Sequence, residues 1–219
     1  MTGVQTCALP ILDHLPLRGK IFDDQLEIIA DAGILYADGK ILDIGNFEEI
    51  KKDNSTAEVH LLKGNFVCLP GMIDVHTHIC WVGSRADDYA LRLEGKSYLE
   101  IAEAGGGIWS TVQKTREASL EELVDLTVQR AEKLYQQGVT TIEVKSGYGL
   151  SLEDEIKMLK AVQLANNQTK AELIPTFLGA HIKPKDFQGS ERDYLDYIIK
   201  NILPEIKKNK LSQRVDMFV

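Results

Sequence analysis

The sequence predicts an α/β protein made mainly of parallel β/α units, with a smaller β-rich segment ahead of them. Three observations carry this. From residue 66 to the last residue, short apolar runs alternate with amphipathic helical patterns, the mark of parallel strands joined by helices. Before residue 66 the apolar runs are short and separated by turn residues, as in small hairpin-linked sheets. The first strand of the alternating part, residues 66–78 (FVCLPGMIDVHTH), ends on His76-Thr77-His78, so chemistry-bearing side chains stand where a strand gives way to a loop.

Composition sets the outer bounds. The chain has 219 residues, 44% of them apolar and 26% charged, which is enough for a real core. A formal net charge of −8 and the lack of a basic stripe argue against nucleic acid as a partner. No apolar run approaches the roughly 18 residues of a membrane span. The three cysteines, Cys7, Cys68 and Cys80, form no C-x-x-C pair, and a small odd number fits a reducing cytoplasm better than a disulfide framework.

Residues 1–11, MTGVQTCALPI, have neither the basic start nor the sustained apolar core of a signal peptide. They match the translation of a sequencing-library adapter from a GTG start. They are therefore set aside as an artefact, expected to be irregular and to pack against nothing. From residue 12 to residue 45 the pattern is β-like. Residues 33–36 and 41–44 flank Ala37-Asp38-Gly39-Lys40, and Asp-Gly between apolar runs predicts a hairpin because both central residues tolerate positive φ. Residues 47–52 can make a helical turn, residues 59–62 a strand, and Lys63-Gly64-Asn65 a turn into the run at 66–69. Pro70-Gly71 interrupts that run, and residues 72–75 resume it.

Beyond the histidines, residues 97–104 predict a short helix stopped by Gly105-Gly106-Gly107, a turn or lid rather than a phosphate loop. Residues 119–137 form an amphipathic helix, with Ser119 and Glu122 in capping-box spacing, an apolar stripe through Leu123, Leu126 and Leu134, and Gly138 just past the end. A strand at 139–144, a helix at 152–165 and a strand at 173–178 follow. Residues 191–207 read as largely helical despite Pro204, and 215–219 as the start of another strand.

In an extended strand, side chains two apart point the same way, so His76 and His78 emerge side by side. Two neutral imidazoles at that spacing can chelate one divalent transition metal and leave positions for other ligands and water. A bare His-x-His more often ends a strand with histidines that are merely hydrogen-bonded. Here the apolar run, Pro-Gly and apolar-Asp pair ahead of it resemble the first barrel strand of the amidohydrolase superfamily. That resemblance implies a (β/α)8 TIM-like barrel with its metal at the C-terminal strand ends, and a β-sandwich built from both ends of the chain. Residues 12–69 then correspond to a partial β-sandwich lacking its C-terminal strands. Residues 70–219 correspond to the first half of a metal-dependent hydrolase barrel, since they hold about four strands where a whole barrel takes about 250 residues. The chain is expected to be the N-terminal part of a longer protein.

Further motifs narrow the resemblance. Gly83-Ser84-Arg85, the stretch EVKSGYGL at 143–150, TFLGAH at 176–181, SYLEI at 97–101 and GGGI at 105–108 together resemble the imidazolonepropionase family. Trp81 and Ser84 depart from the Phe and the Gly or Asp of that pattern. The resemblance implies one metal ion per subunit, zinc or iron, with His76 and His78 among its ligands. It makes Arg85, Tyr148 and His181 substrate-binding residues; a guanidinium is a planar, two-pronged donor suited to a carboxylate. The family's third metal histidine, metal-bound aspartate and catalytic glutamate belong to later strands, so no catalytic residue is assigned within residues 1–219. Because the family binds a single metal, Lys145 is read as structural or loop-orienting rather than as a carboxylated metal bridge. The implied activity is hydrolysis of the cyclic amide of 4-imidazolone-5-propanoate, a small-molecule substrate, to N-formimidoyl-L-glutamate in histidine degradation. The full-length protein is expected in the cytoplasm, with homodimer assembly compatible with the family. The alternatives are another amidohydrolase, such as a nucleobase deaminase whose substrate gives Arg85 no anion to hold, and a truncated, weakly metal-binding fragment without catalysis.

Overall fold

The computed structural model describes residues 28–218 and, of the earlier ones, the strand backbones at 2–3, 6–9 and 27. The chain divides into two compact units, Met1–Pro70 and Gly71–Val219.

The first unit holds two small sheets. One has the order β5-β4-β1-β6, from Lys40–Asn46, Ala32–Ala37, Thr2–Gly3 and His60–Leu61; the other has the order β3-β2-β7, from Glu27–Ala30, Thr6–Leu9 and Val67–Cys68. The predicted hairpin forms between β4 and β5, with Asp38 at φ 51° and Gly39 at φ 72° in its turn. Helix α1 (Phe47–Asp53) follows, its first turn capped by the Asn46 side chain, which accepts from the amides of Glu48 and Glu49. The expectation that residues 1–11 are irregular is corrected at two places. Residues 2–3 pair with β4 and β6, and residues 6–9 pair with β3 and β7. A ladder uses the amide and carbonyl that every non-proline residue carries, so it forms without a selected side-chain pattern. Residues 1, 4–5 and 10–11 lie outside the described residues, as do residues 12–26 of the β-like stretch.

The second unit is a four-stranded sheet in the order β11-β10-β9-β8, from Arg214–Met217, Glu172–Ala180, Val139–Lys145 and Met72–Thr77. Every neighbouring pair is parallel, so all the strand C-termini lie at one end. Between β8 and β9 run α2 (Ala86–Leu93), α3 (Tyr98–Glu103), α4 (Gly107–Glu117) and α5 (Leu120–Tyr135); α6 (Leu152–Asn166) joins β9 to β10. Ser97 and Glu100 complete a capping box on α3. On α5 Ser119 accepts the Glu122 amide, a one-sided cap. The core is a layer of helix on sheet. Leu123, Val124 and Ala131 of α5 and Met158, Ala161 and Val162 of α6 meet Ile142 and Val144 of β9. Each fully buried leucine, isoleucine, valine or methionine side chain among them contributes roughly 1.5–3 kcal/mol relative to exposure. Past β10, a second cluster gathers Leu159, Phe177, Tyr194, Ile198, Ile202 and Ile206.

Two parts of this unit differ from expectation. Helices α2 and α4 were not foreseen; α4 begins at a glycine and carries β-branched Thr111, Val112 and Thr115, which weaken the intrinsic helical signal. The predicted helix at 191–207 is broken into α7 (Glu191–Tyr197), a π-helical turn (Ile198–Ile202) and α8 (Leu203–Lys208). Pro204 has no amide to donate and its ring crowds the carbonyl four residues back, so the chain widens ahead of it and restarts with proline in the first turn of α8.

Candidate active site

The parallel sheet brings all five candidate residues to the C-terminal ends of its strands. His76 lies in β8 and His78 just past it, their ring centres 5.5 Å apart. Tyr148 stands in the loop between β9 and α6, and His181 directly follows β10. The rings of His78 and His181 stack, centres 5.2 Å apart and planes 23° from parallel, and Tyr148 lies 5.5 Å from each. Arg85, at the start of α2, places its guanidinium carbon 5.9 Å from the Tyr148 ring centre.

The loop carrying Arg85 is held firmly. The Trp81 indole N–H donates to the His78 carbonyl at 2.8 Å, so the departure from phenylalanine brings a hydrogen bond with it. The Arg130 guanidinium lies 3.9 Å from the Trp81 ring centre and donates to the carbonyls of Ile79 and Trp81. The Val82 amide donates to Thr115. Arg85 itself donates from Nε to Thr111 Oγ1 at 2.9 Å, while its Nη2 is buried and without a hydrogen-bond partner. Trp81, Arg85, Thr111 and Tyr148 line a cavity of about 220 Å³. A guanidinium that lines a cavity beside an aromatic ring and keeps an unpaired N–H group can receive a carboxylate. Thr111 is a positioning residue the sequence does not flag, because it lies on the unforeseen helix α4.

A second cavity, of about 670 Å³, is lined by residues that include Ala180, His181, Ile182, Lys183, Tyr194, Met217 and Phe218.

The electrostatics favour neutral imidazoles. Burial, reinforced by neighbouring His181, His76 and Lys145, pushes the His78 pKa down to about 4. Burial also lowers that of His181, against the bond its Nδ1 makes to the Gly147 carbonyl at 2.9 Å. Neutral rings are the form that binds metals. The Nδ1 of His78 is buried with no hydrogen-bond partner, so the side-by-side pair fits as two ligands of an ion. Among the described residues no group of three or more His, Cys, Asp or Glu side chains is set to hold a metal.

Beneath these rings Lys145 is buried, with its Nζ 2.9 Å from Glu143 Oε2 and 2.8 Å from Asp216 Oδ2; Thr176 donates to Glu143 Oε1 at 2.7 Å. The network ties β9, β10 and β11 together. Burial alone would lower the Lys145 pKa, but its bonds to Asp216 and Glu143 outweigh that and raise it.

The chain is 48% identical over 192 residues to the imidazolonepropionase of Idiomarina loihiensis, covering 87% of this chain and 46% of the relative. To that of Alkaliphilus oremlandii it is 42% identical over 206 residues, covering 93% and 48%. To that of Myxococcus xanthus it is 50% identical over 162 residues, covering 74% and 38%. The chain thus spans about half the length, or less, of these curated relatives. No protein-family model matches it. Among solved structures, it resembles guanine deaminase of E. coli with a TM-score of 0.60 at 16% identity, over 94% of this chain and 41% of that one. It also resembles a mutant atrazine chlorohydrolase of Arthrobacter aurescens, complexed with zinc and atraton, with a TM-score of 0.51 at 15% identity, over 91% and 43%. These likenesses give the second unit the amidohydrolase fold, its curled parallel sheet corresponding to half of a barrel. Over most of its length, at 42–50% identity, the chain is similar to about half of an imidazolonepropionase.

Proposed function

We propose that the protein to which this segment belongs hydrolyses the cyclic amide of 4-imidazolone-5-propanoate to N-formimidoyl-L-glutamate, with this segment supplying the substrate-holding side of the site and two metal ligands. What supports the reading most is that Arg85, whose Nη2 has no hydrogen-bond partner, lines a cavity together with Tyr148, next to the stacked His78 and His181. The propionate pairs with the guanidinium, the Tyr148 ring covers it, and His181 holds the ring through Nε2. Fixing both ends turns binding into orientation of the scissile bond.

His76 and His78 are the two ligands this segment offers to one zinc or iron ion. Such an ion, when bound, lowers the pKa of its water toward neutrality and polarises the ring carbonyl. The low pKa of His78 keeps its lone pair free of protons at physiological pH. Lys145, paired on two sides, holds the strands and takes no part in metal bridging. In the first unit the two small sheets are read as part of a β-sandwich. The partner is a small molecule; nucleic acid and membrane are not expected, and no described helix is long and apolar enough to cross a membrane. A cytoplasmic location and a homodimer of the full-length protein complete the proposal.

The test is turnover. A polypeptide of the relatives' length carrying this segment is expected to hydrolyse imidazolone propionate and to leave guanine and cytosine unchanged. Deamination of a nucleobase with no turnover of the propionate substrate would replace this reading with that of a nucleobase deaminase. Residues 1–219 alone are expected to show little turnover, because a catalytic zinc site usually has three protein ligands and this segment offers two.

A further inference from the structure

The most fully enclosed charged group of the second unit lies outside the site just described. Glu155, in the first turns of α6, is 0% exposed. Its carboxylate is wrapped by the loop between β9 and α6. Oε1 accepts from the amides of Leu150 at 2.8 Å, Gly149 at 2.9 Å and Gly147 at 3.1 Å. Oε2 takes a second, longer contact from the Gly147 amide at 3.3 Å, and the Ser146 hydroxyl also bonds the carboxylate. All of these neighbours offer protons, so the enclosure is built for a carboxylate acceptor.

One residue of this loop is held in a strained conformation. Gly147, at φ 101°, takes its conformation freely, but Leu150, at φ 55°, is in a left-handed conformation that needs an external hold. A Cβ on Gly149 would stand 2.5 Å from the Glu155 amide nitrogen, so the chain passes tightly against the start of α6. Tyr148 sits between the two glycines whose amides are tethered, and its side chain projects to the other side, onto His78 and His181. The Gly147 carbonyl, on the next peptide, meets His181 Nδ1 at 2.9 Å. A carbonyl only accepts, so that contact fixes the proton on Nδ1 and leaves the lone pair on Nε2.

We infer that Glu155 is a positioning residue: by gathering the amides of Gly147, Gly149 and Leu150 onto one buried carboxylate, it sets the direction of the Tyr148 ring and the tautomer of His181. The importance of those two groups to a substrate rests on the function proposed above; the mechanical link does not. A glutamine at this position keeps the shape but turns an amide N–H₂ toward groups that are already donors, which loosens the loop without removing any side-chain volume.

The experiment reads the link directly. In the full 219-residue chain, long-range proton–nitrogen spectra of the imidazoles are compared between the parent and Glu155→Gln, with urea unfolding as the check on the fold. In the parent, His181 should show a protonated Nδ1 and an unprotonated Nε2. In a Glu155→Gln variant that still unfolds cooperatively, the two nitrogen shifts should move toward each other as the tautomers mix, and the Tyr148 ring signals should shift with them. A folded variant with an unchanged His181 spectrum overturns the inference. If the variant does not fold, amide exchange in the parent decides. Gly147, Gly149 and Leu150 should then be protected to the same degree as the amides of α6, and exchange at free-peptide rates overturns it. Because the readout is a tautomer and not a ligand, failure to bind a propionate substrate would sink the proposed function and leave this result standing.

Discussion

The carbonyl oxygen of Gly147 lies 2.9 Å from Nδ1 of His181, across the gap between the β9–α6 loop and the end of β10. The bond joins the residues that hold Tyr148 to the histidine that stacks on His78, so three of the five candidate residues share one mechanical unit. It also decides the protonation pattern. His181 is neutral with its acceptor nitrogen free, since burial lowers its pKa and the carbonyl claims the Nδ1 proton.

Gly147 is a tightly packed point of that unit. Its φ is 101°, and a Cβ there would stand 2.8 Å from the Leu178 carbonyl and 3.1 Å from the His181 Cβ. Gly147→Ala is expected to cost about 1–3 kcal/mol through backbone strain and overpacking. Urea unfolding measures it, and a variant as stable as the parent contradicts the packing described.

The acid limb of stability should carry the mark of His78. Its folded pKa of about 4 lies below the ordinary 6.5, so the unfolded chain takes up a proton first as pH falls. The stability from burying a neutral ring is therefore complete above pH 6.5 and is lost as pH falls through 4. Imidazole nitrogen titration of the metal-free chain should place the His78 midpoint near 4. A midpoint at the ordinary value contradicts the burial and the neighbouring positive charges together.

Removing the charge at Lys145 should be costly. Its Nζ serves Glu143 and Asp216, and Lys145→Met leaves both carboxylates without their cation. Asp216 is 42% exposed and can recover some hydration, so the loss belongs at the lower end of the roughly 3–5 kcal/mol typical of broken buried pairs. The sign with pH is opposite to that of His78. The raised Lys145 pKa gives stability that is present below the usual lysine value and disappears as pH rises through the raised one. Denaturation at pH 7 and pH 11 separates the two cases; equal stability of parent and variant at pH 7 rules out the strand-tying role.

Much of the site was legible because strand ends advertise themselves. His76 and His78 close an apolar run, Tyr148 lies between two glycines after one, and His181 follows TFLGA, so each could be placed at a strand's C-terminal end from sequence alone. The hairpin at Asp38-Gly39 was equally plain, since turn chemistry is local. Less legible were groups whose role depends on what folds around them. Glu153, Asp154 and Glu155 look like a solvated acidic helix start, yet only the last is buried. One signal was available: Glu155 is in phase with Met158, Leu159 and Val162 of the buried face at spacings of three, four and seven. Thr111 gave none, being one hydroxyl on a helix of weak propensity. The strands at 2–3 and 6–9 were missed for a different reason, because backbone pairing leaves no side-chain signature to find.

The most direct test of the substrate site is the contribution of Arg85 to carboxylate affinity, measured in a polypeptide of the relatives' length with Arg85→Ala beside the parent. Calorimetry would compare an imidazole bearing a propionate with the same ring bearing an uncharged chain of equal length. A charge-assisted contact contributes roughly 1.5–3 kcal/mol, so the variant should lose about ten- to a hundredfold in affinity for the propionate ligand. The uncharged ligand should bind both proteins alike. Unchanged affinity for the propionate, or an equal loss for both ligands, contradicts the account.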